Sequence, residues 1–199
     1  MYFDILVLRV LADGARHGYE IKKRVEKIIG GRSINNNVLY PALRRFEEQG
    51  AIERVAAESD PGRPPRNVYR LTDTGHDVLQ AMIRDSDPQL LSDENEFQTR
   101  VAFFDDLAVT ERRAILRVRR EIVESRIAHS LSLRPESEEN PWGLRVIDFN
   151  LERMHHALAW LDTLAAAAES AVTAKDPAGL DAAAKDPAGV EAGGEGLQQ

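Results

Sequence analysis

The feature that most constrains this chain is a change of hydrophobic period at Gly50. Before it, within Ser33–Gly50, Leu39, Leu43 and Phe46 recur at i, i+4 and i+7, one apolar stripe on an α-helix. After it, Ala51-Ile52-Glu53-Arg54-Val55 and Arg66-Asn67-Val68-Tyr69-Arg70-Leu71 alternate with a period of two, as half-buried strands do. The loop between them, Glu58-Ser59-Asp60-Pro61-Gly62-Arg63-Pro64-Pro65, is rich in turn residues and leaves Arg63 at its tip. A helix that runs straight into a hairpin cannot bury both apolar faces alone, so the residues upstream must supply the rest of a core.

They do so with two more amphipathic segments. Phe3 to Asp13 carries Ile5, Leu8 and Leu11 on one side and stops at Gly14. Tyr19 to Ile29 turns Ile21, Val25 and Ile28 inward and arrays Lys22, Lys23, Arg24 and Lys27 on the other side, ending at Gly30-Gly31. Asn35, Asn36 and Asn37 are N-cap candidates for the third helix. Pro41 loses only the first intrahelical bond if Asn37 is the cap, and kinks the helix if it starts at Asn36. Thr72 is the expected N-cap of a fourth helix reaching about Arg84. Three helices, a short Gly-rich turn between the second and third, and a hairpin with a basic tip make a winged helix-turn-helix. The outer side of the third helix is then Asn36, Asn37, Tyr40 and Arg44, whose amide, phenol and guanidinium groups suit base edges and phosphates. Lys22, Lys23, Arg45, Arg63 and Arg66 are the further candidates for phosphate contact.

Four stretches carry a family resemblance. His17-Gly18-Tyr19-Glu20-Ile21-Lys22, Leu39-Tyr40-Pro41-Ala42-Leu43-Arg44-Arg45, Gly62-Arg63-Pro64-Pro65-Arg66 and Tyr69-Arg70-Leu71-Thr72 resemble the successive signatures of the PadR family of bacterial transcriptional regulators, covering about residues 3–84. The resemblance implies a dimeric winged helix-turn-helix repressor that senses small molecules. Where the family usually has Gly followed by Thr or Ser before Leu-Tyr-Pro, this chain has Asn37-Val38.

Beyond residue 85 the pattern is helical. Phe97, Val101, Phe104 and Leu107 suggest a short helix, and Thr110 can cap a longer one through Ile115, Val118, Ile122 and Ile127. After a polar break from Arg134 to Pro141, the residues Leu144, Ile147, Leu151, Met154, Leu158, Leu161 and Ala165 advance by alternating threes and fours. Such a heptad seam buries its stripe against a helix of the same or a second chain. This half resembles the longer helical C-terminal domain of one group of PadR-like regulators, which mediates dimerisation. That likeness assigns Leu144, Ile147, Leu151, Met154, Leu158 and Leu161 to a dimer interface, with an intramolecular bundle seam as the alternative. It also makes Trp142 and Trp160 the candidates for a ligand platform, with ordinary packing as the alternative.

The expected fold class is therefore mainly α with a small β-hairpin, a winged helix-turn-helix plus an α-helical C-terminal dimerisation domain. Residues 1–85 form the DNA-binding domain, 86–95 a linker, 96–169 the helical dimerisation domain and 170–199 a disordered Ala/Gly/Asp/Pro tail in which Ala-Lys-Asp-Pro-Ala-Gly occurs twice. Charge divides the same way: of 26 basic and 33 acidic residues, residues 1–85 hold fourteen and twelve, leaving twelve and twenty-one for the remainder. A net positive first half and an acidic second half suit a nucleic-acid module followed by a partner or ligand domain. The chain contains no cysteine, no basic-then-apolar leader and no run of eighteen apolar residues, so a soluble cytoplasmic protein is expected, with no membrane partner. Catalysis, a metal site and a cofactor are not expected: adjacent His155 and His156 diverge by about 100° on a helix, and Gly30-Gly31-Arg32-Ser33 lacks a phosphate loop's lysine and spacing. The sequence thus reads as a dimeric repressor binding a palindromic operator in double-stranded DNA and relieved by a small-molecule effector. The alternative is a non-catalytic adaptor that uses the heptad helix to bind a partner protein.

Overall fold

The computed structural model describes residues 2–31, 33–55, 67–134 and 140–170. The chain runs α1 (Tyr2–Ala12), β1 (Arg16–His17), α2 (Gly18–Ile28), α3 (Asn36–Glu48), β2 (Ile52–Val55), β3 (Val68–Leu71), α4 (Asp73–Arg84), α5 (Pro88–Leu91), α6 (Glu94–Val101), a 3₁₀ turn at Phe104–Asp106, α7 (Val109–Leu133) and α8 (Pro141–Ser170). It is a mainly helical winged-helix fold. The wing tip with Arg63 and Arg66, the centre of the polar break and the Ala/Gly/Asp/Pro tail lie outside the described residues.

Burial explains the order. Ile5, Leu6, Val7, Leu8, Val10 and Leu11 are all buried, so α1 is apolar nearly all round and forms the centre on which the other elements pack. Ile21 and Val25 of α2 and Leu39, Leu43 and Phe46 of α3 close over it. The sequence pattern turns Ile28 inward, but it is exposed; its neighbour Ile29 packs against the core instead, and Glu26 is buried. The expected hairpin is part of a three-stranded antiparallel sheet of order β1-β3-β2, since Arg16 and His17 pair with Tyr69 and Val68. In the other pair Ile52 lies opposite Leu71 and Glu53 opposite Arg70, whose guanidinium donates to the Glu53 carboxylate from Nε (2.9 Å) and Nη2 (2.6 Å).

The helix ends are chemically explicit. Asn35 caps α3, its Oδ1 accepting from the Asn37 N–H at 2.9 Å, so the helix starts at Asn36 and Pro41 stands inside it. Thr72 caps α4 as expected, accepting from the Gly75 N–H at 3.0 Å and donating to the Gly50 carbonyl at 2.6 Å. At α7 the cap position falls on Ala108, not Thr110; the Glu111 carboxylate accepts from the Ala108 N–H at 2.8 Å.

Residues 86–95 are not a linker. Asp87 caps α5 and Asp93 caps α6, and Leu91 is fully buried beside Phe97 in a core that continues from α1 into α7 and α8. Arginines from farther along the chain fasten this stretch: Arg119 Nη1 donates to the Leu91 carbonyl (2.7 Å) and Arg126 Nη2 to the Ser92 carbonyl (2.9 Å), while Arg100 Nε holds the Asp85 carbonyl just before it (3.0 Å). Glu96 ties α6 to the start of α1 there, accepting from the Tyr2 N–H and, within α6, from Arg100 at 2.7 Å. Burial pushes its carboxyl up, but the hydrogen bonds from Arg100 and Tyr2 outweigh it and hold the group below the ordinary glutamate value of 4.5. A carboxyl lowered by folding stabilises the fold above its unfolded value, and that contribution disappears as pH falls through the folded value. Glu96→Gln should therefore lower the urea midpoint at pH 7, and the gap to the parent protein should narrow as the pH drops below about 4.5. A gap constant with pH would mean that the charge of Glu96 contributes nothing.

α7 and α8, of 25 and 30 residues, form the most extensive helix pair. The C-terminal part of the heptad seam packs inside the chain: Leu151 and Leu161 are buried, and Met154 and Leu158 pack on the shared core, whereas Leu144 and Ile147 are half-buried and lie outside that core. Ala165 is exposed. A long helix that turns back on its predecessor uses its most apolar stripe for that neighbour first, so intramolecular packing accounts for Leu151, Met154, Leu158 and Leu161.

Candidate nucleic-acid interface

α3 presents its polar side as the sequence predicts. Asn36, Asn37, Tyr40 and Arg44 are all exposed, while Leu39, Ala42, Leu43 and Phe46 fill the opposite side. Tyr40 is 48% exposed although it is a large aromatic, and its ring lies against Gly18 at the start of α2. A Cβ at Gly18 would stand 3.2 Å from Tyr40 Cε1, so the absent side chain is what lets the phenol settle over that helix end. Among the described residues Arg44 makes no ion pair with a carboxylate, which leaves a rigid, bidentate donor fork facing outward.

The flanking cations differ from it. Arg45 is bonded to Asp4 of α1 and lies over the Phe46 ring, which directs it to the flank against α1. Lys23 pairs with Glu26 at 3.2 Å, and this hydrogen bond raises its pKa. Lys22 is the more covered of the two lysines and donates to Asn36 Oδ1 at 3.1 Å. Behind both sits Glu26, which the sequence reading passed over. Its carboxylate accepts from the Ile34 N–H at 3.0 Å, which is the main cause of a lowered pKa; burial opposes the shift, and Lys23 and Lys22 add to it. No periodicity marks such a residue, because its partner is a backbone amide eight positions away. Two exposed apolar side chains were also missed: Tyr19, with Lys23 Nζ 5.7 Å from its ring centre, and Val38 on α3. An exposed valine on α3 is an apolar group of the kind that can meet a thymine methyl.

In the second half a groove of about 1110 Å³ opens between α6, α7 and α8. It is lined by Val123, Met154 and Trp160 together with Arg126, Arg153 and His129, and by the buried Arg119 with its partner Glu94. Trp160 meets Phe97 edge to face at 5.7 Å, and Arg119 lies 5.0 Å over the other partner of that pair, Phe97. Trp142 is 78% exposed. Eighteen residues of α8 separate the two tryptophans, about 27 Å at the helical rise. They cannot form one platform within a chain.

A model of the PadR-like family of transcriptional regulators matches residues 7–81, which run from α1 to α4. A PadR family transcription regulator from Clostridium difficile is 32% identical, over 41% of this chain and 82% of its own, with a TM-score of 0.35. The chain belongs to the PadR-like family of transcriptional regulators. A transcriptional regulator from Clostridium thermocellum is 30% identical over 40% of this chain and 77% of its own, with a TM-score of 0.37. Bacillus subtilis PadR, solved in complex with operator DNA, is 19% identical and aligns with 83% of this PadR-like chain and 98% of its own, with a TM-score of 0.40. Among the described residues no helix is long and apolar enough to cross a membrane.

Proposed function

We propose that this PadR-like regulator is a cytoplasmic repressor that binds a palindromic operator as a homodimer and releases it when a small molecule binds the second half. The observation that carries the reading is the outward face of α3: three exposed hydrogen-bonding side chains and an arginine on one side of a helix whose other side is buried. α3 would enter the major groove with Asn36, Asn37, Tyr40 and Arg44 against bases and sugar-phosphate, and Lys23, Arg63 and Arg66 would neutralise flanking phosphates. Arg45, held by Asp4, contributes little to this interface.

A single module contacts too few base pairs to select a genomic site, so a second copy is needed. With Leu151, Met154, Leu158 and Leu161 packed inside the chain, the surface that supports pairing is another stripe at the start of α8. Trp142, Val146 and Phe149 recur at i, i+4 and i+7 and are all exposed, and Leu131 and Leu133 are exposed at the end of α7. Phe149→Glu should give monomers in sedimentation with the helical content unchanged; a persistent dimer would move the interface elsewhere. The effector would take the groove between α6, α7 and α8, where Trp160 and Met154 stand beside Arg126 and Arg153, a setting that suits a flat molecule carrying an anionic group.

A mobility assay of the full chain on its own upstream region tests the central claim. Binding should prefer that duplex over a scrambled one, and log K should fall steeply and linearly with log salt. Equal affinity for both duplexes, or none for either, would end the proposal.

A further inference from the structure

The site on α3 contains an interaction that the proposed reading does not use. We propose that Lys22 is a specificity-determining positioning residue: it locks the Asn36 carboxamide in one orientation, so that Asn36 offers its amide N–H donors to the base edge. The inference rests on the DNA-binding reading above.

An exposed asparagine at the start of a helix can rotate its amide either way and present an acceptor or a donor. Here that freedom is removed. Lys22 Nζ, which can only donate, lies 3.1 Å from Asn36 Oδ1, so the oxygen faces α2 and Nδ2 occupies the other end of the group. The ammonium is itself held. The Lys22 side chain retains only 21% of its exposure, against 57% for Lys23, and Glu26 Oε1 stands 4.0 Å from Nζ. Glu26 is fixed in turn by the Ile34 N–H at 3.0 Å and by the Ser33 hydroxyl at 3.5 Å, two residues of the turn that leads into α3. The chain of contacts therefore runs from the turn through Glu26 and Lys22 to the first residue of the reading helix.

Two consequences follow from the charges. A lysine that is mostly covered and whose ammonium is turned to a neighbouring amide is a poor neutraliser of phosphate, so Lys22 adds little to affinity that is independent of sequence. An amide oxygen already engaged by an ammonium discourages the bidentate acceptor-plus-donor match to adenine. The free N–H groups favour an edge of acceptors, the N7 and O6 of guanine. A preordered reader also loses less side-chain freedom on binding.

The test uses the full chain as wild type, Lys22→Met, Asn36→Ala and the double variant. Methionine keeps the stem of the lysine and a high helix propensity, so the fold is retained. In selection from a randomised duplex pool, the wild type should show a guanine preference at one position per half-site, and Lys22→Met should relax it about tenfold. The salt slope should not change, and the double variant should discriminate no worse than Asn36→Ala. A loss of affinity equal for all sequences, with a salt slope lower by about one per subunit, would make Lys22 a phosphate contact and overturn the proposal. In the protein without DNA, the Asn36 side-chain amide signals, assigned by their loss in Asn36→Ala, should be dispersed in the wild type and collapse to mobile positions in Lys22→Met. Unchanged signals would refute the lock directly. A wild type that selects no sequence at all would instead refute the DNA-binding reading, while the amide signals still decide whether Lys22 holds Asn36.

Discussion

Replacing Gly75 with alanine should destabilise the chain by about 3 kcal/mol and lower its melting temperature by about 6–12 °C. Gly75 is buried in the first turn of α4, and a Cβ there would stand 2.0 Å from the Ala51 carbonyl oxygen and 2.6 Å from Leu71 Cδ1. The leucine can rotate, but the carbonyl is backbone and is held in place, because it accepts from the Thr72 N–H at 3.1 Å. Relief requires α4 to lift off the start of β2, which breaks the Thr72 bridge to Gly50 as well. The sign of the effect is diagnostic: alanine is the better helix former by about 1 kcal/mol, so helix propensity alone predicts the opposite outcome. Urea denaturation of the two proteins checks it. An equal or higher midpoint for the alanine variant would show that α4 does not sit against that carbonyl.

Arg44→Ala should weaken operator binding by about tenfold to a hundredfold while leaving the circular dichroism spectrum unchanged, the range expected for losing one good bidentate contact to a base. Arg44 and Arg45 are neighbours of identical chemistry, so the comparison between them isolates geometry. Arg44 points outward and makes no ion pair among the described residues; Arg45 is tied to Asp4 and stacked on Phe46. Arg45→Ala should therefore change operator affinity by no more than about threefold and should instead lower stability slightly, as a partly exposed ion pair does. Equal losses of affinity for the two variants would mean that α3 meets DNA with a different side from the one described.

Much of the first half could be read in advance because its signals are local. The stripe of Leu39, Leu43 and Phe46, the Thr72 cap and the period change at Gly50 each depend on residues a few positions apart, and each appears in the structure. The face of Asn36, Asn37, Tyr40 and Arg44 follows from the same geometry. The misreadings share a different cause. Residues 86–95 look polar, yet the carbonyls of Leu91 and Ser92 accept from Arg119 and Arg126, which lie as many as 34 positions away. The heptad seam on α8 was legible as a seam, but periodicity names no partner, and its residues from Leu151 to Leu161 pack within the chain. Two signals were present and underused: Asp87 before Pro88 and Asp93 before Glu94 are helix starts written in ordinary capping chemistry.

The unlike settings of the two tryptophans give the chain a pair of internal reporters. Trp142 stands in solvent on the stripe suited to a second copy, whereas Trp160 is braced against Phe97 at the groove wall. Emission from the first should shift to the blue when subunits associate, and emission from the second should change when the groove fills. Single tryptophan-to-phenylalanine variants would separate the two signals, so self-association and effector capture could be followed independently, without a dye, in one unlabelled protein.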